Sequence, residues 1–173
     1  MRVLFTVTAV SLLALISSLR AQEIVTDVAI YGGTPAGIAA AIAAGKAGKQ
    51  VLLIEPYSRI GGLATNGLTH PDYHAHEGLT GTFLAFTRRV EAYYIGKYGK
   101  ESPQATETRD GTHAEPNVNQ AVFAAMLAEI PTIRVLTRHV LRRNDQAVEP
   151  ASSTATVLRA ITVGVRQHGF PGG

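Results

Sequence analysis

Gly32-Gly33-Thr34-Pro35-Ala36-Gly37 and, 23 positions after Gly32, Glu55 are residue types at a spacing that can hold a nucleotide pyrophosphate and a ribose together. Gly32 permits a sharp turn out of a strand. Pro35 suits the first turn of a helix, where its missing N–H costs nothing. The amides freed at that helix start can face a pyrophosphate, helped by the helix dipole. Gly37 lets the helix lie close to the preceding strand. A carboxylate at Glu55, at the end of the next strand, can accept both hydroxyls of an adenosine ribose and disfavours a 2′-phosphate. The pattern departs from G-x-G-x-x-G at its middle position, where Thr34 narrows the backbone approach but offers a hydroxyl to a phosphate oxygen. The competing reading is a purely structural βαβ unit that holds no ligand.

Chemistry of this kind requires a strand, a helix and a second strand in that order. Residues 24–31, Ile-Val-Thr-Asp-Val-Ala-Ile-Tyr, are rich in β-branched types and predict a buried strand. Residues 38–47 form an alanine-rich helix stopped by Gly48, with Ala36, Ala40 and Ala41 expected beside Gly37 on its sheet-facing side. Residues 50–55, Gln-Val-Leu-Leu-Ile-Glu, read as a parallel strand buried on both faces and ending in the acid.

A second glycine turn follows at once, Ile60-Gly61-Gly62-Leu63-Ala64-Thr65-Asn66-Gly67-Leu68. A plain NAD-binding unit has no such turn there, which argues against an NAD-dependent dehydrogenase domain. With this turn the chain resembles the FAD-dependent oxidoreductases that carry a glutathione-reductase-like FAD-binding domain. "DVAIYGGTPAG" (27–37) is similar to that group's phosphate signature, and "EPYSRIGGLATNGL" (55–68) to its second element. The resemblance implies that Gly32, Gly33, Thr34, Pro35, Ala36 and Gly37 form the phosphate turn, that Glu55 is the ribose acid, and that Gly61 and Gly62 make a second phosphate contact. It also implies FAD as cofactor, hydride transfer at the flavin and a small-molecule substrate. Farther on it is looser, reaching about residue 141.

The resemblance implies a helix over residues 78–99, and the apolar spacing at 117–130 predicts a second. Leu84, Val90, Tyr93 and Tyr94 are the expected core positions of the first; Val118, Val122, Phe123, Met126, Leu127 and Ile130 are those of the second. Between them, residues 99–116 are polar, with Pro, Gly and Thr, and read as a loop or excursion. Residues 133–141 predict a third strand, and the resemblance implies that Val140 offers its backbone to the adenine. Residues 157–165 suggest one more strand.

His70, Asp72, His74, His76 and Glu77 crowd one short segment. H-x-H beside an acid can bind a metal, but the segment lacks helical ligand spacing, and no metal site is expected. His70, nearest the glycine turn, is the one candidate for proton transfer, because imidazole titrates near neutral pH. A polar surface loop explains the same residues.

The chain has no Cys, which excludes disulfides, thiolate nucleophiles and dithiol redox chemistry, so any redox function must come from a bound cofactor. Its net charge of +3 includes Arg2 and Arg20 of the first 21 residues, and its other basic residues are scattered, so no nucleic-acid partner is expected. Residues 1–21 run from one positive charge through an apolar stretch to small residues, the order of a secretory signal peptide. Export is therefore expected, with no stable membrane span after cleavage. The expected fold is α/β: a three-layer, Rossmann-like FAD/NAD(P)-binding domain over residues 22–145. A truncated continuation would follow at 146–173, a linker with one possible strand. The few strands that can be placed suggest a fold incomplete at its C-terminus, as in a fragment or a non-catalytic remnant.

Overall fold

The computed structural model describes residues 24–68, 71–73, 75–141 and 163–165. Three parallel strands, β1 (Val28–Tyr31), β2 (Val51–Glu55) and β3 (Ile133–Thr137), pair in the order β1-β2-β3. Val28 stands opposite Val51, and Val51 opposite Ile133. All five residues of β2 are buried, as its unbroken apolar run requires of a central strand. Burying side chains such as Leu53 and Ile54 contributes about 1.5–3 kcal/mol each.

Strand β1 differs from the expectation of a buried strand at 24–31. It is four residues long and alternates half-buried with exposed positions, leaving Tyr31 49% exposed. Among the described residues β1 has a strand on one side only, so it has less to bury against. Thr26 and Asp27 lie outside the ladder and grip Gln50 instead: the Thr26 hydroxyl donates to Gln50 O at 2.6 Å, and Gln50 N donates to Asp27 Oδ2 at 2.7 Å.

Helix α1 (Pro35–Lys46) connects β1 to β2. Its sheet-facing stripe is Gly37, Ala41 and Gly45, with Ile38 and Ile42 buried beside it. Ala36 and Ala40, expected on that face, are exposed, because they fall one position off the four-residue step. Between β2 and β3 come α2 (Gly81–Tyr98), the single-turn α3 (Pro103–Thr106) and α4 (Pro116–Ala128). The two longer helices meet through Phe86 and Phe123, stacked with ring centroids 4.2 Å apart. Val90 and Tyr94 are buried as expected, whereas Tyr93 is 40% exposed and Phe86 and Thr87 take the core face. On α4 the expected apolar residues are buried through Leu127, and Asn119 is buried among them.

Two further expectations change. Residues 99–116, read as a loop or excursion, are mostly turns around α3, but they are not all at the surface: Ala105, Thr108, Thr112 and Ala114 are buried, the two alanines in the core cluster with Phe86, Val90 and Tyr94. Burial is tolerated because the Thr108 and Thr112 hydroxyls donate to Ala105 O and Arg109 O at 2.7 and 2.8 Å. The strand expected at 133–141 is interrupted at Arg138, whose φ of 60° is left-handed. Its remainder, β4 (His139–Leu141), pairs antiparallel with β5 (Val163–Val165), so the parallel sheet stops at β3 among the described residues. The strand read at 157–165 is described only at 163–165, and residues 1–21 lie outside the described residues. No described helix is long and apolar enough to cross a membrane.

Candidate functional site

The carboxyl ends of β1 and β2 carry the glycine and acidic residues picked out above. Gly32 turns the chain out of β1 with φ +105°, a conformation that strains any L side chain, and its amide donates to Ile54 O at 2.7 Å. Thr34 caps α1, its hydroxyl accepting from Gly37 N at 3.2 Å, and Pro35 occupies the first helical turn. The capping bond uses a lone pair and leaves the Thr34 hydroxyl proton without an acceptor among the described residues. The amides of Thr34 and Ala36 likewise donate to no described acceptor. These are the helix-start donors that an anion can take. Thr34, Pro35 and Ala36 are exposed, and no acidic residue lies in the first turn to repel a phosphate.

Gly37 has a different task. A Cβ there would sit 2.0 Å from Gly32 O, so a hydrogen at this position is what allows α1 to start against the end of β1.

Glu55 is buried, and both its oxygens already accept backbone amides: Gly33 N on Oε2 at 2.7 Å and Tyr57 N on Oε1 at 2.8 Å. The carboxylate therefore ties the first glycine turn to the end of β2. Each oxygen keeps a second lone pair, the capacity a ribose hydroxyl would use. Tyr57 stands within the quoted 55–68 motif, which gave it no role; its O accepts from Arg138 N at 3.0 Å, joining the end of β2 to the break after β3.

The second glycine turn folds back onto the first. Gly61 N donates to Gly33 O at 2.5 Å. Gly61 and Gly62 have φ of +101° and +55°, and a Cβ on Gly62 would lie 3.4 Å from Pro35 Cδ. A 3₁₀ turn, Gly62–Thr65, follows. The structure thus brings residues 32–37, Glu55, Gly61 and Gly62 into one cluster. Val140 lies on β4, opposite Gly164, and His70 lies outside the described residues. Of the other histidine-segment residues, Tyr73 bonds through its hydroxyl to Thr112 Oγ1 at 3.1 Å, and no group of metal-ligating side chains forms among the described residues. A separate cavity of about 340 Å³ lies between α4 and β3, lined by Ile60, Ala124, Leu127, Ile133 and Val135 among others; it contains none of the expected site residues.

Sequence reasoning missed the groups that hold the second turn. The Thr65 hydroxyl donates to Ile60 O at 2.7 Å, Asn119 Nδ2 donates to Ala64 O at 2.9 Å, and Arg59 Nη2 donates to Asn117 Oδ1 at 3.0 Å. Thr65 stands within the quoted glycine motif; Asn119 and Asn117 lie more than fifty positions away, with no local signal to connect them.

Several solved structures are similar to this chain. Thermovibrio ammonificans THI4 is 15% identical over 94% of this chain and 56% of its own length, with a TM-score of 0.45. The 3-ketosteroid-delta4-(5alpha)-dehydrogenase of Rhodococcus jostii RHA1 is 14% identical over 73% of this chain and 40% of its own, at 0.42. The HOCl-induced flavoprotein disulfide reductase RclA of Escherichia coli is 20% identical over 64% of this chain and 21% of its own, at 0.33. The chain thus spans about half the length of the first and less of the others. No curated protein sequence matches it. The family model described as FAD dependent oxidoreductase matches residues 27–168, most of the chain, and the chain belongs to that family.

Proposed function

We propose that this chain binds the ADP half of FAD in a glutathione-reductase-like arrangement and serves an exported FAD-dependent oxidoreductase. The observation that carries this reading is the contact of the two glycine turns, Gly61 N on Gly33 O, with the Glu55 carboxylate bonded to the same Gly33. Two turns that meet through glycines, Gly33 against Gly61, beside a helix start with unused amides, fit a pyrophosphate better than a solvent-facing loop. The amides of Thr34 and Ala36 and the hydroxyl of Thr34 would hold its oxygens. Gly32, Gly33, Pro35 and Gly37 would keep the backbone in place, and Gly61 and Gly62 would close the other side. Glu55 would hold the ribose, and Val140 the adenine.

When bound, FAD supplies the hydride chemistry, and the chain supplies position and electrostatics. The substrate is a small molecule, and residues 1–21 would direct export. A titration of the purified chain with FAD tests the proposal. Binding shifts the visible flavin spectrum and resists competition by NAD. A folded sample that leaves the flavin spectrum unchanged, or that takes NAD and excludes FAD, would overturn it.

A further inference from the structure

Asn119 is an unusual core residue. It is 5% exposed, it sits on the apolar face of α4 between Val118 and Val122, and its Oδ1 is buried with no hydrogen-bond partner among the described residues. An unsatisfied buried carbonyl is costly, and an aliphatic side chain would pack there without that cost. The other end of the amide is where the residue acts: Nδ2 donates to Ala64 O at 2.9 Å. Ala64 lies in the 3₁₀ turn Gly62–Thr65, which is too short to satisfy its own last carbonyls.

The same turn is wedged from two other sides. A Cβ on Gly61 would meet Thr65 Cγ2 at 2.3 Å and Phe123 Cδ2, one helical turn beyond Asn119, at 2.9 Å. Gly61 in turn donates to Gly33 O. One continuous path therefore runs from α4 through Ala64 and Gly61 to the first glycine turn.

We infer that Asn119 is a positioning residue for the second glycine turn: its side-chain amide fixes Ala64, and through it holds Gly61 and Gly62 against residues 33–35. Its effect on the cofactor rests on the FAD reading above; its effect on the turn does not. The full chain and its N119L variant decide the matter, with V90A as a control for loss of core packing, since Val90 is fully buried on α2. Two readouts are taken. Without cofactor, hydrogen exchange of the amides in residues 61–66 accelerates in N119L and stays at the wild-type rate in V90A. With cofactor, N119L binds FAD roughly tenfold more weakly, the scale of one lost buried hydrogen bond, while V90A stays near wild type. Unchanged exchange at 61–66 in N119L overturns the inference, as does equal acceleration in V90A. A wild-type chain that binds no FAD defeats the FAD reading alone, and the exchange result still decides the role of Asn119.

Discussion

Gly61 and Gly33 share a hydrogen bond of 2.5 Å, N–H of the first to C=O of the second, although helix α1 and strand β2 separate them in the chain. Gly61 leaves no room for growth, since a Cβ would lie 2.3 Å from Thr65 Cγ2 at a left-handed φ of +101°. Gly61→Ala is expected to lose about 1–3 kcal/mol from strain and overpacking and to weaken FAD binding at least roughly tenfold, a further displacement of the turn by little more than one hydrogen bond's worth. Urea unfolding and flavin titration on the same preparation check both. Wild-type affinity in a destabilised G61A chain would mean that the contact is structural alone.

Glycines 37 and 48 give a matched contrast. A methyl at Gly37 would meet Gly32 O at 2.0 Å, whereas one at Gly48 meets nothing within 4 Å. Gly37→Ala must push α1 off the end of β1, costing about 1–3 kcal/mol together with FAD affinity. Gly48→Ala carries only the left-handed φ penalty of about 1–2 kcal/mol and keeps its affinity. Equal FAD binding by the two variants would count against the turn at residues 32–37 as a phosphate cradle.

Glu55 holds Gly33 N and Tyr57 N with separate oxygens. Glu55→Gln keeps the shape but turns one acceptor into a donor that faces another donor. The expected loss is about 1–3 kcal/mol in the apo chain, measured by urea unfolding, with weaker FAD binding added to it. An apo stability equal to wild type would show that these two amide contacts contribute little.

Tyr94 supplies a pH dependence. Burial, reinforced by its hydrogen bond to the Glu115 carboxylate, raises its pKa from 10.0 to about 12. The folded chain therefore keeps this proton while the unfolded chain releases it near its ordinary pKa. The stabilisation is fully present below pH 10 and is lost as pH rises towards 12. Melting temperatures across the alkaline range should fall more steeply for wild type than for Tyr94→Phe. Parallel curves would assign the alkaline loss to other groups.

The parts of the site that depend on near neighbours in the chain were legible from residue order. The strand–turn–helix at 32–37, with Pro35 in the first helical turn, and the acid at the end of β2 follow from backbone rules that act over a few positions, and the central strand follows from its unbroken apolar run; that the Thr34 hydroxyl caps the helix was not read from the sequence. Burial on β1 was overestimated because residue types do not reveal whether a strand has neighbours on one side or two. The burial of Thr108 and Thr112 was missed because their polarity is cancelled by carbonyls three residues back, an arrangement that composition does not announce.

Residue order thus settled which backbone groups near residue 34 would be left without intrahelical partners, and that an acid and a second glycine turn would follow. Which distant groups meet them was settled by packing. Asn119 reaches Ala64, Arg138 reaches Tyr57, and Gly61 reaches Gly33 because α4, β3 and the loop after β2 converge at one end of the sheet. Backbone conformation is encoded locally, one residue and its neighbours at a time, whereas the partner of an orphan donor or carbonyl depends on which segments share the space around it.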